Sequence, residues 1–292
     1  MKDRLIKIPR GCHVSSESAF KARNSLAGHP LFEKQRIELS LRRLPRHEIE
    51  IRTVKSKNHI YRGYSRGEVL PNADPLRTFE RLGETPRWML CHNLWMYDPE
   101  YRELMHQFAV DLIETFPGMG ELSDLSDLGC WLFISSGRII VHFHADPDQS
   151  FLNQISGSKT VYVYPAKILP EPSIENLVYL YDQNAVKYQP EYEQTAFPPV
   201  KLGPGDSAFL PLYAPHEVVN DDEVCVSLNI GFHTRLSRRR RAVHFVNFEM
   251  RDLGLQPAPY GRYPFVDSVK IHMPAAFRAK NKLLKSLKSL YL

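Results

Sequence analysis

The run His142-Phe143-His144-Ala145-Asp146 holds the side chains with the most evident chemistry in the chain. Alternate side chains of a β-strand share a face, so His142, His144 and Asp146 are predicted to point the same way. Neighbours on that face lie roughly 6.6 Å apart along the backbone, which lets two of them converge on one metal ion. Two histidines and one carboxylate leave three positions open on an octahedral ion, as in non-haem Fe(II) oxygenases.

The third ligand must come from another strand, and His216 is the candidate. It follows the turn-then-strand segment GPGDSAFLP and lies at the edge of the next turn. We therefore predict that His144, Asp146 and His216 are the metal ligands and catalytic residues. His142 would then line the pocket as a contact to the metal ligands or the substrate, or be a hydrogen-bonded core histidine.

Lys159 is the candidate for holding an acidic co-substrate. In the segment KTVYVY it is predicted to share a face with Val161 and Val163, which resembles the interior face of a barrel. An unpaired ammonium there would cost several kcal/mol, and a dicarboxylate would supply the missing counter-charge. An ion pair with a nearby acidic residue is the structural alternative. In VCVSLNIG, Asn229 shares a face with Ser227, and inward polar groups need hydrogen-bond partners.

Short strands are predicted to position these residues between Cys130 and Gly231. The segments CWLFI, RIIVHFH, FLNQI, KTVYVY, SAFLPL and VCVSLNIG are rich in β-branched and aromatic residues, and turn residues separate them. This pattern predicts a mainly β sandwich or closed barrel.

Regions outside these strands are predicted to be mixed or helical. An alternating strand is predicted over 47–54, and a helix over 99–116 with Asp98 as its N-cap. We divide the chain into an α/β N-terminal extension packed on the core (1–85), a catalytic core (86–235) and a C-terminal helical segment (236–292).

The composition is that of an ordinary soluble protein. Of 292 residues, 43% are apolar and 24% are charged, and 38 basic against 33 acidic residues make the chain only mildly basic. We expect no signal peptide and no membrane span, because the sequence lacks a long apolar run. Cys12, Cys91, Cys130 and Cys225 are scattered, which predicts reduced thiols and a cytoplasmic location, or a nuclear one in a eukaryote.

Together these motifs resemble the JmjC-type cupin hydroxylases, in particular the subgroup of the asparaginyl hydroxylase that acts on hypoxia-inducible factor. The resemblance covers about residues 130–232 and rests on HADPDQSFLNQISGSKTVYVYP, GPGDSAFLPLYAPHEVVN and VSLNIGF. It implies a double-stranded β-helix (jelly-roll) core with flanking helices. It also implies that His144, Asp146 and His216 bind Fe(II), that Lys159 pairs with the C5 carboxylate of 2-oxoglutarate, and that Asn229 lies beside both.

The resemblance further implies a dioxygenase that uses O₂ to hydroxylate a peptide, a protein side chain, or an amino-acid-like or other small molecule. The chain departs from its relatives at Val141, where they often have Thr, and at Ser150, where they often have Asn. We expect Ser150 and Ser227 to contribute to co-substrate binding. In one alternative, His142, His144 and His216 bind the metal in the manner of other cupins.

The basic stretches admit other interpretations. The run 238–241 is four arginines, and a second functional hypothesis is a non-catalytic cupin-like metal-binding or regulatory protein with nucleic-acid contacts. No aromatic stacking pattern accompanies the run, so we expect a solvated helix face and no nucleic-acid partner. The basic C-terminal segment is expected to pack on the core or against a second copy as a homodimer, rather than on a membrane.

Overall fold

The computed structural model describes residues 4–8, 15–53, 67–116, 120–182 and 186–279. Within these ranges the chain forms twelve β-strands and seven α-helices. The strands are β1 (Ile6–Lys7), β2 (Phe20–Asn24), β3 (Ile49–Thr53), β4 (Arg87–His92), β5 (Ser126–Ser135), β6 (Ile140–His144), β7 (Gln149–Ser156), β8 (Lys159–Val163), β9 (Val200–Leu202), β10 (Asp206–Leu210), β11 (His216–Asn220) and β12 (Cys225–His233). The helices are α1 (Lys34–Arg43), α2 (Pro75–Glu80), α3 (Leu94–Tyr97), α4 (Pro99–Thr115), α5 (Glu171–Leu180), α6 (Arg235–Asp252) and α7 (Pro264–Lys270).

Strands β5 to β12 form a double-stranded β-helix. The larger antiparallel sheet contains the order β10-β7-β12-β5, and the smaller one has the order β6-β11-β8-β9. The chain therefore passes from one sheet to the other between β5 and β6, β6 and β7, β7 and β8, β9 and β10, β10 and β11, and β11 and β12. This winding defines the jelly roll, and it confirms the predicted mainly β core.

The turn between β7 and β8 depends on a glycine. Gly157 has a φ of +70°, and a Cβ there would lie 2.5 Å from the carbonyl oxygen of Val224. Both the left-handed backbone and this close approach exclude a side chain. The turn sets where β8 begins, and so fixes the position of Lys159.

Apolar side chains fill the space between the sheets at one end. Val161 and Val163 of β8 meet Leu152 of β7 and Leu210 of β10, and all four are buried. Because side chains alternate along a strand, Phe151 points to the opposite face of the larger sheet. There it contacts Phe116, with ring centroids 5.2 Å apart.

Helix α4, which the sequence predicts, covers that outer face. Asp98 is its N-cap and accepts a hydrogen bond from the Glu100 amide, and Pro99 begins the helix. The buried residues of α4 recur at helical spacing and pack on the larger sheet, with Phe108 centred 5.8 Å from Phe151.

Strands from the N-terminal region extend the same sheet. Its full order is β1-β2-β10-β7-β12-β5-β4-β3, so β1 and β2 lie on one edge and β4 and β3 on the other. The predicted strand over 47–54 is found as β3, which is preceded by a 3-10 turn. The three-segment division of the chain stays a prediction.

Helix α6 confirms the predicted helix after the core, and α7 follows it. Residues 280–292 lie outside the described ranges, so the expected C-terminal packing and homodimer stay predictions. Cys91, Cys130 and Cys225 are buried free thiols, while Cys12 is outside those ranges. None of the described helices is both long and apolar enough to cross a bilayer.

Candidate metal centre

Three potential ligands meet where β6 and β11 pair. His144 ends β6, His216 begins β11, and the two residues lie directly opposite each other in the antiparallel ladder. Their ring centroids are 4.3 Å apart. Asp146 lies two residues beyond the end of β6, and its Oδ2 is 3.8 Å from His216 Nε2. One ligand atom from each of the three residues lies within 4.8 Å of the others.

Backbone carbonyls orient both imidazoles. Nδ1 of His144 is 2.7 Å from the carbonyl oxygen of His142, and Nδ1 of His216 is 3.0 Å from that of Ala214. A carbonyl only accepts, so each Nδ1 carries the proton and donates. Each Nε2 is therefore the unprotonated ring nitrogen, which is the state required of a metal-binding histidine.

Asp146, rather than His142, completes this group of ligands. The strand ends at His144, so the aspartate reaches the histidines from the following loop and not from the strand alternation that the sequence suggests. His142 lies on the wall of the cavity beside the three residues. It is not in the group of converging ligand atoms identified among the described residues.

A cavity of about 560 Å³ opens between the two sheets next to the three ligands. This volume lies in the range of small-molecule sites. The wall includes residues of both sheets, of the loop after β6 and of α6, among them His142, His144, Asp146, Asp148, Lys159, His216, Asn229, His233, Arg241, Trp88, Trp131, Val141 and Leu210. Val141 thus contributes an apolar residue to the cavity wall.

Lys159 is buried in the same cavity. Only 5% of the residue is exposed, and Nζ donates to Ser227 Oγ at 2.7 Å. Ser227 in turn donates to Gln154 Oε1 at 2.7 Å. Within the part of the chain that the structure describes, no carboxylate forms an ion pair with Lys159, contrary to the structural alternative. Burial lowers the pKa of its ammonium to about 8.

Asn229 brings an unsatisfied polar atom to the cavity wall. Its Oδ1 is buried and has no hydrogen-bond partner among the described residues. A buried, unsatisfied acceptor typically costs about 1–3 kcal/mol, which a bound donor would remove. Ser227, two residues earlier on β12, contacts Lys159 rather than the cavity itself.

Ser150 does not meet its expected role in this arrangement. It lies on β7 opposite Leu210 and Gly231, and only 1% of its surface is exposed. It is absent from the cavity wall. The expected contact of Ser150 with a co-substrate therefore has no support from the cavity wall.

Several charged residues of the cavity wall escape the sequence patterns. Burial and the nearby charge of Asp146 raise the pKa of Asp148 to about 8. Burial and then Arg241 lower the pKa of His233 to about 4, and Arg241 lies 3.4 Å from its Nε2. Asp148 lies two residues after Asp146, so extending the alternating pattern of the HxD motif could have identified it as a residue of the cavity wall. His233 and Arg241 belong to the end of β12 and to α6, where no local pattern marks them.

The arginine run is not a uniformly solvated face. Arg241 reaches the cavity wall, and Arg240 lies over the rings of Tyr213 and Tyr260, 5.3 Å from each centroid. Two of the four arginines are thus half-buried and contact other parts of the chain, which weakens the case for a nucleic-acid surface.

Comparisons with known proteins give similarity to solved structures alone. No protein-family model and no curated protein matches the chain. The ribosomal oxygenase YcfD from Escherichia coli, in complex with cobalt and 2-oxoglutarate, is 18% identical over 85% of this chain and 57% of its own, with a TM-score of 0.47. The lyase DddQ from Ruegeria pomeroyi is 18% identical over 37% and 40% respectively, with a TM-score of 0.25. The chain spans less than two thirds of the length of YcfD, and similarity at this level identifies no reaction.

Proposed function

We propose that this chain is an Fe(II)- and 2-oxoglutarate-dependent dioxygenase that hydroxylates a C–H bond of a peptide, a protein side chain, or an amino-acid-like or other small molecule. One observation carries the proposal. His144, Asp146 and His216 converge at a cavity in which Lys159 is buried without a carboxylate partner among the described residues. A bound metal ion would use the three converging ligands, and an acidic co-substrate would supply the missing counter-charge of Lys159.

The donor set fits ferrous iron. Two imidazoles that can each bind through Nε2, together with one carboxylate, match the facial triad, which leaves the opposite three positions of the ion open. Ligand atoms of an octahedral ion at about 2.1 Å lie about 3 Å apart. The 3.8 Å between Asp146 Oδ2 and His216 Nε2 closes to this value with a small side-chain movement.

Lys159 fits the distal carboxylate of 2-oxoglutarate. In the antiparallel ladder, Lys159 lies opposite Asn220 of β11. Asn220 is four residues along that strand from His216, so roughly 13 Å of backbone separates the lysine position from the histidine. The lysine stem and a five-carbon dicarboxylate together can bridge this distance. The carboxylate would restore the charged state of the ammonium, which burial disfavours.

Bound iron and 2-oxoglutarate would supply the oxidation, with O₂ as oxidant and with succinate and carbon dioxide as products. The chain itself contributes orientation and shielding. The Ser227–Gln154 hydrogen bonds hold Lys159 in place, and the carbonyls of His142 and Ala214 fix the imidazoles. The Asn229 Oδ1 can accept a hydrogen bond from a substrate that carries a donor, since 2-oxoglutarate itself offers only acceptor oxygens. The apolar walls around Trp88, Trp131 and Leu210 limit water at the site.

Turnover of 2-oxoglutarate tests the proposal. Purified protein with Fe(II), ascorbate and 2-oxoglutarate should form succinate, at a low rate alone and faster with a substrate. Asp146→Ala should abolish this, while Glu114→Gln, on the surface at α4, should not. Absence of both succinate and 2-oxoglutarate binding in the folded wild-type protein would contradict the proposal.

A further inference from the structure

A second cluster of ligand-type side chains lies between α5 and α6, outside the cavity. Glu171 and Glu175 are one helical turn apart on α5, so they share a face. His244 faces them from α6 and is fully buried. One ligand atom from each of the three lies within 4.8 Å of the other two.

The facing atoms of this cluster lack hydrogen bonds. Within the described ranges, Glu171 Oε2, Glu175 Oε1 and both ring nitrogens of His244 are buried without a hydrogen-bond partner. Nδ1 of His244 lies 3.3 Å from Glu171 Oε2, within ion-pair distance, and although burial raises the pKa of Glu171, this histidine lowers it below its ordinary value. Two carboxylates and an imidazole this close together are costly in a protein interior unless a proton or a cation lies between them.

The neighbouring cations do not bridge the three facing ligand atoms. Arg251 donates to Glu175 Oε2 at 2.6 Å, which leaves Oε1 for another partner. Arg240 lies over the rings of Tyr213 and Tyr260, and Lys270 donates to Asn247 Oδ1 at 2.6 Å. These positive charges disfavour a weakly binding ion such as Mg²⁺ or Ca²⁺. They leave a strongly binding late transition metal as the fitting occupant.

We propose that Glu171, Glu175 and His244 form a second, structural metal site that binds Zn²⁺. Zinc accepts imidazole nitrogen and carboxylate oxygen at about 2.0–2.2 Å, which places tetrahedral ligands about 3.4 Å apart. Modest side-chain movements from the present spacing reach this value. Water takes the fourth position, and no group of the chain changes its covalent bonds.

The proposed ion ties two helices that border the oxygenase cavity. Tyr181, which directly follows α5, and Arg241 of α6 both lie on the cavity wall. His244 follows Arg241 by three residues, within one turn of α6. Zinc would therefore fix the distance between the helices and hold both wall residues in place.

Measuring bound metal tests the second site in the Asp146→Ala variant, in which the first site has lost a ligand. We would load Asp146→Ala with Zn²⁺, desalt it, and measure zinc by inductively coupled plasma mass spectrometry. One zinc ion per chain is expected, falling at least tenfold when Glu171→Gln is added. Glu114→Gln, which replaces an exposed carboxylate elsewhere, should retain the zinc. Less than a tenth of an ion in Asp146→Ala, or zinc that Glu171→Gln does not displace, would overturn the proposal.

Cobalt provides a readout that needs no substitution in the cluster. Co²⁺ bound to Asp146→Ala in four- or five-coordinate geometry should give intense visible absorption, which Zn²⁺ should abolish by displacement. A spectrum no stronger than that of hydrated Co²⁺ would overturn the proposal, even where Glu171→Gln or His244→Gln fails to fold.

Discussion

Lys159→Met should weaken co-substrate binding and, at the same time, stabilise the ligand-free protein. Burial lowers the pKa of the Lys159 ammonium from 10.5 to about 8, which corresponds to a cost of about 3 kcal/mol for the charged group at neutral pH. Methionine fills a similar volume without charge. The melting temperature of the ligand-free variant should therefore rise by several degrees, at roughly 2–4 °C per kcal/mol.

The binding change has the opposite sign. Truncating one partner of a buried charge pair typically costs about 2–5 kcal/mol, so the Kd for 2-oxoglutarate should rise about 30- to 4,000-fold. Anaerobic calorimetric titration with Mn²⁺ in place of Fe(II) measures this Kd. Lys201→Met is the matched control, because Lys201 is exposed on the adjacent strand β9. It should change neither the Kd nor the melting temperature.

The stability gain should also disappear at high pH. Unfolded Lys159 keeps its proton up to about pH 10.5, while folded Lys159 releases it from about pH 8. Between these values the unfolded chain binds more protons, so this residue's contribution to the free energy of unfolding rises with pH. The advantage of Lys159→Met over wild type should therefore shrink from pH 8 to pH 10.5. A less stable ligand-free variant with unchanged 2-oxoglutarate binding would refute the reasoning and make Lys159 a structural residue.

Four further predictions concern the candidate metal centre, the cavity and the turn before β8. Asn229→Leu should raise the melting temperature of the ligand-free protein, because a buried unsatisfied acceptor worth about 1–3 kcal/mol is removed. A melting temperature that stays the same or falls would count against this account of Asn229. The affinity of wild type for 2-oxoglutarate, measured by titration, should be constant below pH 8 and fall up to tenfold per pH unit above it, because the Lys159 ammonium deprotonates. A flat pH profile would exclude this dependence. Asp146→Ala should lose iron from the first site in equilibrium dialysis and His142→Ala should retain it, whereas the reverse result would favour three histidines. Gly157→Ala should lower the free energy of unfolding by about 1–3 kcal/mol in denaturant titration, because φ is positive and the Val224 carbonyl oxygen occupies the place of a Cβ. Gly83→Ala is the control and should be near neutral, because no atom lies close to its Cβ position. Equal effects of the two substitutions would argue against backbone strain.

Local patterns predicted most of the jelly-roll core. Strands β6, β7, β8 and β12 fall within or beside segments whose β-branched and aromatic residues mark them, and Asp98-Pro99 marks the start of α4. Helix α5 is absent from the sequence predictions, although its buried Ile174, Leu177 and Val178 recur at helical spacing. The signal in α5 is short, and short apolar runs do not distinguish a helix from a strand.

The convergence of His144, Asp146 and His216 was predictable for a partly wrong physical reason. Strand alternation placed Asp146 beside His144, but the strand ends at His144 and a loop brings the aspartate in. The position of Ser150 away from the cavity wall was not predictable, because its burial depends on neighbouring strands.

Long-range proximity explains what the sequence could not show. Glu171 and Glu175 meet His244 through the packing of α5 against α6, about seventy residues apart in the chain. Likewise, a run of four arginines does not indicate which of them turn inwards; only the packing of α6 places Arg240 on two tyrosine rings and Arg241 at the cavity.

Anomalous X-ray scattering from crystals grown anaerobically with Fe(II) and 2-oxoglutarate tests the central claim most directly. We expect an iron peak at about 2.0–2.2 Å from Nε2 of His144, Nε2 of His216 and a carboxylate oxygen of Asp146. The distal carboxylate of 2-oxoglutarate should lie against Lys159 Nζ. No iron at this position, or iron held by His142 with the Asp146 carboxylate turned away, would contradict the proposed centre.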